Sequence, residues 1–367
     1  MLASGVSEVW IGFQSTYGNC TMPISDQDLA RLSKSSLDLY LKNDPIDQIT
    51  QDRPLLNQLF KKKKTIGGAK KNVVEQVRKD YGSNFKWTFG EQKIEFNKRD
   101  SLEQAEFPWG RCVDALYITM DELYSNGIDV REGDRGQFKL NQNEKVQLTN
   151  LLAENQEILR EGFLKSLDLH MHRDGSASTD AIVGLDTLIS LKPTTGKVGN
   201  IDRAQATYWR NYANAALKTA NLIDEMEKAW RECYRHGGAT PDFILAGADF
   251  IDAYRAAVPL TRNIDAGAIA KVDGSVGEGA RTGLYFKGKE IIWDPTFDDL
   301  DLLDAPATAW AKRCYMINTK ALNWRDDGIQ IITPTRPHDT MCLYQMINMR
   351  GLMSINRPNA CAVLALG

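Results

Sequence analysis

"SLDLHMHRDGSAS", residues 166–178, supports two readings that lead to different proteins. His170 and His172 stand one residue apart and are followed by Asp174 and Gly175, the spacing with which a binuclear metal-dependent hydrolase begins its ligand set. Such a pair reaches one ion only on a strand, where residues i and i+2 point to the same side. Upstream, however, Leu148, Leu151, Leu152, Ile158, Leu159 and Phe163 recur at helical spacing, and Leu167 and Met171 continue the stripe with some drift. The stretch is therefore the end of a helix. Asn141 with Glu144 forms a capping-box start and Asp174-Gly175 a stop, so the spacing predicts a helix over 144–173, roughly 45 Å long. On it the two histidines lie about 200° apart and cannot share a metal. His170 is expected to pack on the apolar face at the helix end and His172 to be solvated. Four histidines in the whole chain are also few for a binuclear site.

The rest of the chain adds no chemistry. "TTGKVGN" (194–200) echoes a phosphate loop but has Val198 where a hydroxyl would hold magnesium, and "DGSVGEGARTG" (273–283) reads as a flexible loop. No GxSxG is present and no Cys or Ser has an evident histidine partner. The six cysteines (20, 112, 233, 314, 342 and 361) include no CxxC pair and suit reduced, buried thiols. No catalytic, cofactor-binding or metal-binding residue is assigned, and no cofactor or structural metal is expected.

At 367 residues the chain has room for two or three domains. Composition is ordinary, 43% hydrophobic and 25% charged with net charge −3, so nothing global calls for a nucleic-acid or membrane partner. The start "MLASGVSEVWIGFQSTYGNC" has no signal-peptide pattern, and no apolar run approaches a membrane span, which points to a soluble, cytosolic chain.

The first 110 or so residues are poor in core pattern, as an arm reaching elsewhere would be. A short helix is expected in "DQDLARLSKSSLDLYL" (26–41) and a turn or two of apolar helix in "RPLLNQLF" (53–60). The run 61–71 holds six lysines (Lys61, Lys62, Lys63, Lys64, Lys70 and Lys71) and no acid. A solvated, mobile hinge is the favoured reading over a patch that meets acids of a neighbour or DNA phosphate. "NFKWTFGEQKIEFNKRD" (84–100) then alternates, with Phe85, Trp87 and Phe89 on one face and Ile94 and Phe96 after a "GEQ" turn, and predicts a β-hairpin. A lone hairpin is marginal in water, and burying each aromatic is worth roughly 1.5–3 kcal/mol, so its apolar face needs a partner. The competing reading folds it back on its own domain.

From about 108 onward, "VDALYITMDEL" reads as strand and turn, and a second long helix is expected over about 212–236, with Gly237 as its left-handed cap. There follow strand "PDFILAG", helix "ADFIDAYRAAV", hairpin "GLYFKGKEIIWDP" turning at Gly288, and strands in "CYMINTKAL", "TMCLYQMINMRG" and "NACAVLAL". Helices and strands without a regular βαβ repeat indicate an α+β class.

The succession "GLDTLIS", "VGNIDRAQATYWRN", a long helix, "PDFILAGADFIDAYRAA", "LYFKGKEIIWDP", "INTKAL" and "NMRGLMSINRPNACAVL" resembles the major capsid proteins of tailed double-stranded DNA bacteriophages with the Hong Kong 97-type fold, from about residue 55 to the end. The resemblance implies an N-terminal arm at 1–64, an extended E-loop hairpin at 65–110, a peripheral domain at 111–184 with spine helix 144–173, an axial domain at 185–330, and strands 331–367 returning to the peripheral domain. It implies a structural protein that assembles with itself as pentamers and hexamers into an icosahedral phage head, built in the host cytoplasm. The E-loop would lie over a neighbouring subunit through Phe85, Trp87, Phe89, Ile94 and Phe96. Implied partners are a portal, a decoration protein in some relatives, and packaged double-stranded DNA contacted non-specifically. The region before the hairpin is too short for a built-in scaffolding segment, so a separate scaffolding protein is expected. Asn155 and Gly162, which interrupt the spine stripe, are the expected flexure when the shell changes shape. An encapsulin-like compartment shell is the alternative, and a metal-dependent hydrolase a more distant one.

Overall fold

The computed structural model describes residues 51–65, 72–93, 96, 98–125, 142–178, 180–238, 240–258, 281–335 and 341–367. The expected helix in 26–41 and the rest of the arm before residue 51 lie outside the described residues, as does most of 273–283. In chain order the elements are α1 (Pro54–Lys61), β1 (Lys64–Thr65), β2 (Asn72–Arg78), β3 (Leu102–Pro108), β4 (Gly110–Thr119), α2 (Met120–Ser125), α3 (Gln142–His172) and α4 (Leu185–Leu188). Next come β5 (Lys197–Val198), β6 (Ile201–Asp202), β7 (Tyr212–Leu217), α5 (Leu222–Gly237), β8 (Phe243–Ala246) and α6 (Ala248–Ala257). The chain closes with β9 (Arg281–Phe286), β10 (Lys289–Trp293), α7 (Thr296–Asp304), β11 (Arg313–Ile317), β12 (Leu322–Asp326), β13 (Gln330–Thr335), β14 (Cys342–Ile355) and β15 (Ala362–Leu366). Among the described residues, no helix is long and apolar enough to cross a membrane.

Two compact units share these elements. The larger is Thr50–Cys112, Ser166–Gly328 and Met349–Gly367. Its centre is a six-stranded sheet in the order β7-β15-β11-β8-β10-β9. The middle strands "FILA", "RCYMI" and "AVLAL" are unbroken apolar runs because both faces are covered. On one face Ile244, Cys314, Met316 and Leu364 pack with Met226 and Trp230 of α5 and Phe250 and Tyr254 of α6. Leu245, Tyr315 and Val363 form a row pointing the other way, and Phe297 and Trp310 lie against Tyr315. Lys287 and Gly288, both at positive φ, make the two-residue turn that pairs Phe286 with Lys289.

The second long helix begins ten residues later than its pattern predicts. Residues 212–217 form β7, parallel to β15 with Tyr212 opposite Ala362. Helix-favouring alanines yield here because β15 would otherwise be an unpaired, fully apolar sheet edge. At the other end the left-handed residue is Gly238, φ 64°, one beyond the expected Gly237, and its N–H donates to the Tyr234 carbonyl at 3.0 Å.

The hairpin also differs from its sequence reading. The paired strands are β2 and β3, in seven antiparallel pairs from Asn72–Pro108 to Arg78–Leu102. The described residues of the aromatic stretch 84–100 carry no ladder. Alternation there reflects which side chains are apolar, but two strands without a third element or a core hold poorly, and only the root has one. Ala105 and Phe107 are buried, and Gly199 packs so closely on them that an added Cβ would fall 2.8 Å from that of Ala105. Glu75 in β2 accepts from Arg325 at 2.5 Å and from the Ser354 hydroxyl at 3.1 Å. "TTGKVGN" is part of a tight hairpin, β5–β6, turning through Gly199 and Asn200 at positive φ.

The smaller unit comprises, of the described residues, Val113–Lys165 and Ile329–Asn348. Ile118, Met120, Leu123, Leu151 and Leu343 form its core. A reciprocal cap starts α2: the Thr119 N–H donates to Glu122 at 2.8 Å and the Glu122 N–H to the Thr119 hydroxyl at 3.3 Å. The long helix α3 is continuous through Asn155 and Gly162, with Leu151, Leu159, Phe163, Leu167 and Met171 of the expected stripe buried, whereas Ile158, also counted in it, is 60% exposed.

Candidate assembly surface and buried charge cluster

Beyond the β2–β3 root the chain displays its aromatics to solvent. Phe85, Trp87, Phe89 and Phe96 are 74%, 89%, 91% and 92% exposed, and Ile94 lies outside the described residues. Phe85 and Trp87 meet edge to face with centroids 5.3 Å apart. Gly90, φ 69°, turns the chain where "GEQ" predicts a turn. Four large exposed aromatics on one excursion make it a candidate docking surface.

The described part of the lysine run, Lys61–Lys64, is exposed, as a solvated segment would be, and two of its lysines also reach acids of the fold. Lys61 ends α1, Lys62 lies 3.6 Å from Asp242 and bonds the Thr319 hydroxyl, and Lys63 lies 3.6 Å from the buried Asp326. Lys64 sits in β1, which pairs with β12. The acids these lysines meet are distant in sequence, so local charge counting cannot detect the pairs. Lys70 and Lys71 lie outside the described residues.

At the C-terminal end of α3 the two histidines exchange their expected roles. His172 is fully buried, whereas His170 is partly exposed. The His172 Nδ1 faces the Asp168 carbonyl at 2.8 Å and Nε2 faces Asp294 Oδ2 at 3.0 Å. Both ring nitrogens thus meet acceptors, and only an imidazolium donates to both. The Thr296 hydroxyl donates to Asp168 Oδ2 at 2.6 Å and the Thr296 N–H to Asp294 Oδ1 at 3.1 Å, while the buried Asp168 Oδ1 has no partner. Phe297 stands edge-on to the imidazole at 5.4 Å. Burial pulls the His172 pKa down, but the Asp168 and Asp294 carboxylates outweigh it and raise it to about 9. Burial also lifts the Asp168 carboxyl, to about 6, against the pull of His172.

Among the described residues Asp168, His172 and Asp294 are the group close enough together to suggest a metal. The arrangement suits a proton better. Asp168 approaches Nδ1, its Oδ2 at 3.8 Å, and Asp294 approaches Nε2, whereas a metal would need one ring nitrogen shared with both carboxylates. Sequence reasoning missed the cluster because Asp168 and His172 are an i, i+4 pair on an apparently solvated helix end, and Asp294 is 122 residues away.

By sequence alone, no family profile and no curated protein matches the chain. Solved structures do match in fold. The cyanophage A-1(L) capsid asymmetric unit superposes with a TM-score of 0.57 at 14% identity, over 89% of this chain and 96% of that one. The capsid of Myoviridae phage XM1 gives 0.53 at 12% identity, over 89% and 97%. A structure from Mycobacterium phage Ogopogo gives 0.53 at 12%, over 91% and 99%. The chain has the Hong Kong 97-type capsid fold. Within this capsid fold the exposed tip belongs to the larger unit, rooted on β2 and β3, and the charge cluster ties the end of α3 to the β10–α7 turn of the same unit. Gly162 sits on the exposed side of α3, where an added Cβ would meet nothing closer than Asp114 Oδ2 at 4.0 Å.

Proposed function

We propose that this chain is the major capsid protein of a tailed double-stranded DNA bacteriophage, assembling as pentamers and hexamers into an icosahedral head. The observation that carries the reading is the combination of a capsid fold over nearly the whole chain with an aromatic tip that a single copy leaves bare. The tip is then the E-loop, laid on a neighbouring copy. Helix α3 is the spine of a peripheral domain, and Asn155 and Gly162 are where the spine flexes. The six-stranded sheet with α5 and α6 is the axial domain, which here takes in β15 (Ala362–Leu366), a strand that the resemblance placed among 331–367 returning to the peripheral domain. The chain is a building block rather than a catalyst. A scaffolding protein, a portal, a decoration protein and packaged DNA are its partners in this reading, and the capsid of a virion is its place.

Electron microscopy and light scattering of the purified protein, alone and with its native neighbours co-expressed, test this. Closed particles of uniform size containing double-stranded DNA are expected. Particles holding a protein cargo and no DNA would replace the phage reading with a compartment shell, and a chain that stays monomeric beside its neighbours would end both.

A further inference from the structure

The larger unit carries two surfaces of opposite charge. One is a cavity of about 690 Å³ into which Arg78, Arg235, His236 and Arg357 project, with Leu102 and Tyr208 in its walls and no acid lining it. Glu232, just outside, lies 3.2 Å from His236 Nε2 and 3.8 Å from Arg235 and offsets part of that charge. The Arg78 guanidinium packs over the Tyr81 ring at 5.9 Å. The other surface is α7, "TFDDLDLLD", with four aspartates and no base in nine residues. Asp301 is spent on the Trp310 and Ala311 N–H groups, Asp304 pairs with Arg173, and Asp299 also has an interaction within the fold, so the helix offers a negative field rather than a set of unpaired carboxylates. Burial and then the neighbouring Asp301, Asp249 and Asp299 push the Asp298 carboxyl up, a sign of how densely negative charge is gathered there. From this acidic helix Leu302 and Leu303 project 86% and 61% exposed, without a place in the core.

Strand direction puts the two surfaces at opposite ends of the sheet. β7, β15, β8 and β10 run the same way, since β15 is parallel to β7, β10 to β8, and β11 is antiparallel to both β15 and β8. The cavity is built where this set begins: Tyr208 precedes β7, Arg357 precedes β15, and Arg235 and His236 precede β8. Helix α7 follows β10, where the set finishes. One copy therefore cannot bring its own α7 to its own cavity.

We propose that the cavity receives α7 of a second copy of this chain, with the exposed Leu302 and Leu303 on its apolar wall and the negative field of the helix, Asp298 foremost, towards the basic rim of Arg78 and Arg235. The inference rests on the shell reading and specifies a contact within it. Two different patches at opposite ends of a subunit make a head-to-tail contact, which closes into rings when the rotation between copies is right.

Paired cysteines test this in assembled particles. Leu303→Cys combined with Gln76→Cys, or with Asn356→Cys, is oxidised and run on a non-reducing denaturing gel. The native cysteines at 233, 314, 342 and 361 are buried, Cys112 is half-buried, and the single variants serve as controls. A ladder ending in covalent five- and six-membered rings is expected from at least one pair and from no single variant. A ladder that stops at dimers means a two-fold contact and overturns the proposal, as do particles that give no ladder with either pair; both leave the shell reading intact. Absence of particles from the wild-type chain beside its neighbours overturns the shell reading and this contact with it. Independently, Arg235→Glu with Arg357→Glu places like charges in the contact and lowers particle yield by roughly tenfold or more while the subunit stays folded. Unchanged yield refutes the electrostatic part of the fit.

Discussion

Replacing His172 by leucine tests the buried cluster most directly. The imidazolium is fully enclosed and stands against two carboxylates, so its removal strands Asp294 without its ring partner beside an Asp168 already carrying one unpaired oxygen. Breaking a buried pair in this way costs about 3–5 kcal/mol, and losing the edge contact with Phe297 adds about 0.5–1.5 kcal/mol. A loss of about 3.5–6.5 kcal/mol is a large part of the total stability of an ordinary domain, roughly 5–15 kcal/mol. The assay is urea unfolding of the unassembled subunit, comparing midpoints at unchanged slope. The triple variant Asp168→Asn, His172→Leu, Asp294→Asn should lose less than His172→Leu alone, because the stranded charges carry most of the cost. The pH dependence has a fixed sign. His172 holds its proton up to about pH 9 in the folded chain against an ordinary value of 6.5, so the folded state binds the extra proton in that window and stability falls as pH rises through it. Asp168, lifted from 3.8 to about 6, acts in the same direction lower down, since its ionisation on folding is penalised. His172→Leu should flatten the upper limb. A loss under about 1 kcal/mol with an unchanged pH profile would refute the charged-cluster reading.

Gly162→Ala has room for its methyl group and favours the helix by up to about 1 kcal/mol, so precursor shells should form and then expand slowly in time-resolved scattering; normal expansion removes the flexure role. Trp87→Ala with Phe89→Ala alters only exposed side chains, so the subunit should keep its melting temperature and assemble poorly; wild-type shells of unchanged stability would rule out an intersubunit clasp. Gly184→Ala places a Cβ 1.9 Å from the Arg173 carbonyl oxygen, and backbone must move at a cost of about 3 kcal/mol or more, read as loss of soluble folded protein; a variant that melts like wild type would contradict this close approach.

What the sequence discloses follows from how local each signal is. The apolar stripe of α3, the Lys287-Gly288 turn and the unbroken runs of β8, β11 and β15 rest on neighbours within a few residues, and the structure has them. β7 is different: its alanines and leucine favour a helix, and only β15, about 150 residues later, makes it a strand. The same holds for His172, whose partner Asp294 arrives from another element, and for Lys62 and Lys63, which meet Asp242 and Asp326. In the stretch 84–100 the apolar alternation is visible, but its described residues carry no ladder, since two strands without a third element or a core against them hold poorly.

If the chain is a shell subunit as proposed, that bare tip would make it sticky before it has anywhere to go. Lys86, Glu91, Lys93, Lys98, Arg99 and Asp100 are interspersed with the aromatics and, like them, exposed. Charges set among exposed apolar side chains act as gatekeepers against haphazard clumping, since any contact that buries the rings without pairing the charges is penalised. On the shell reading proposed above, a seat that covers Trp87 and Phe89 must also satisfy the ions between them. The tip would then be a proofreading key as well as an adhesive, accepting a correct neighbour and refusing a merely greasy one.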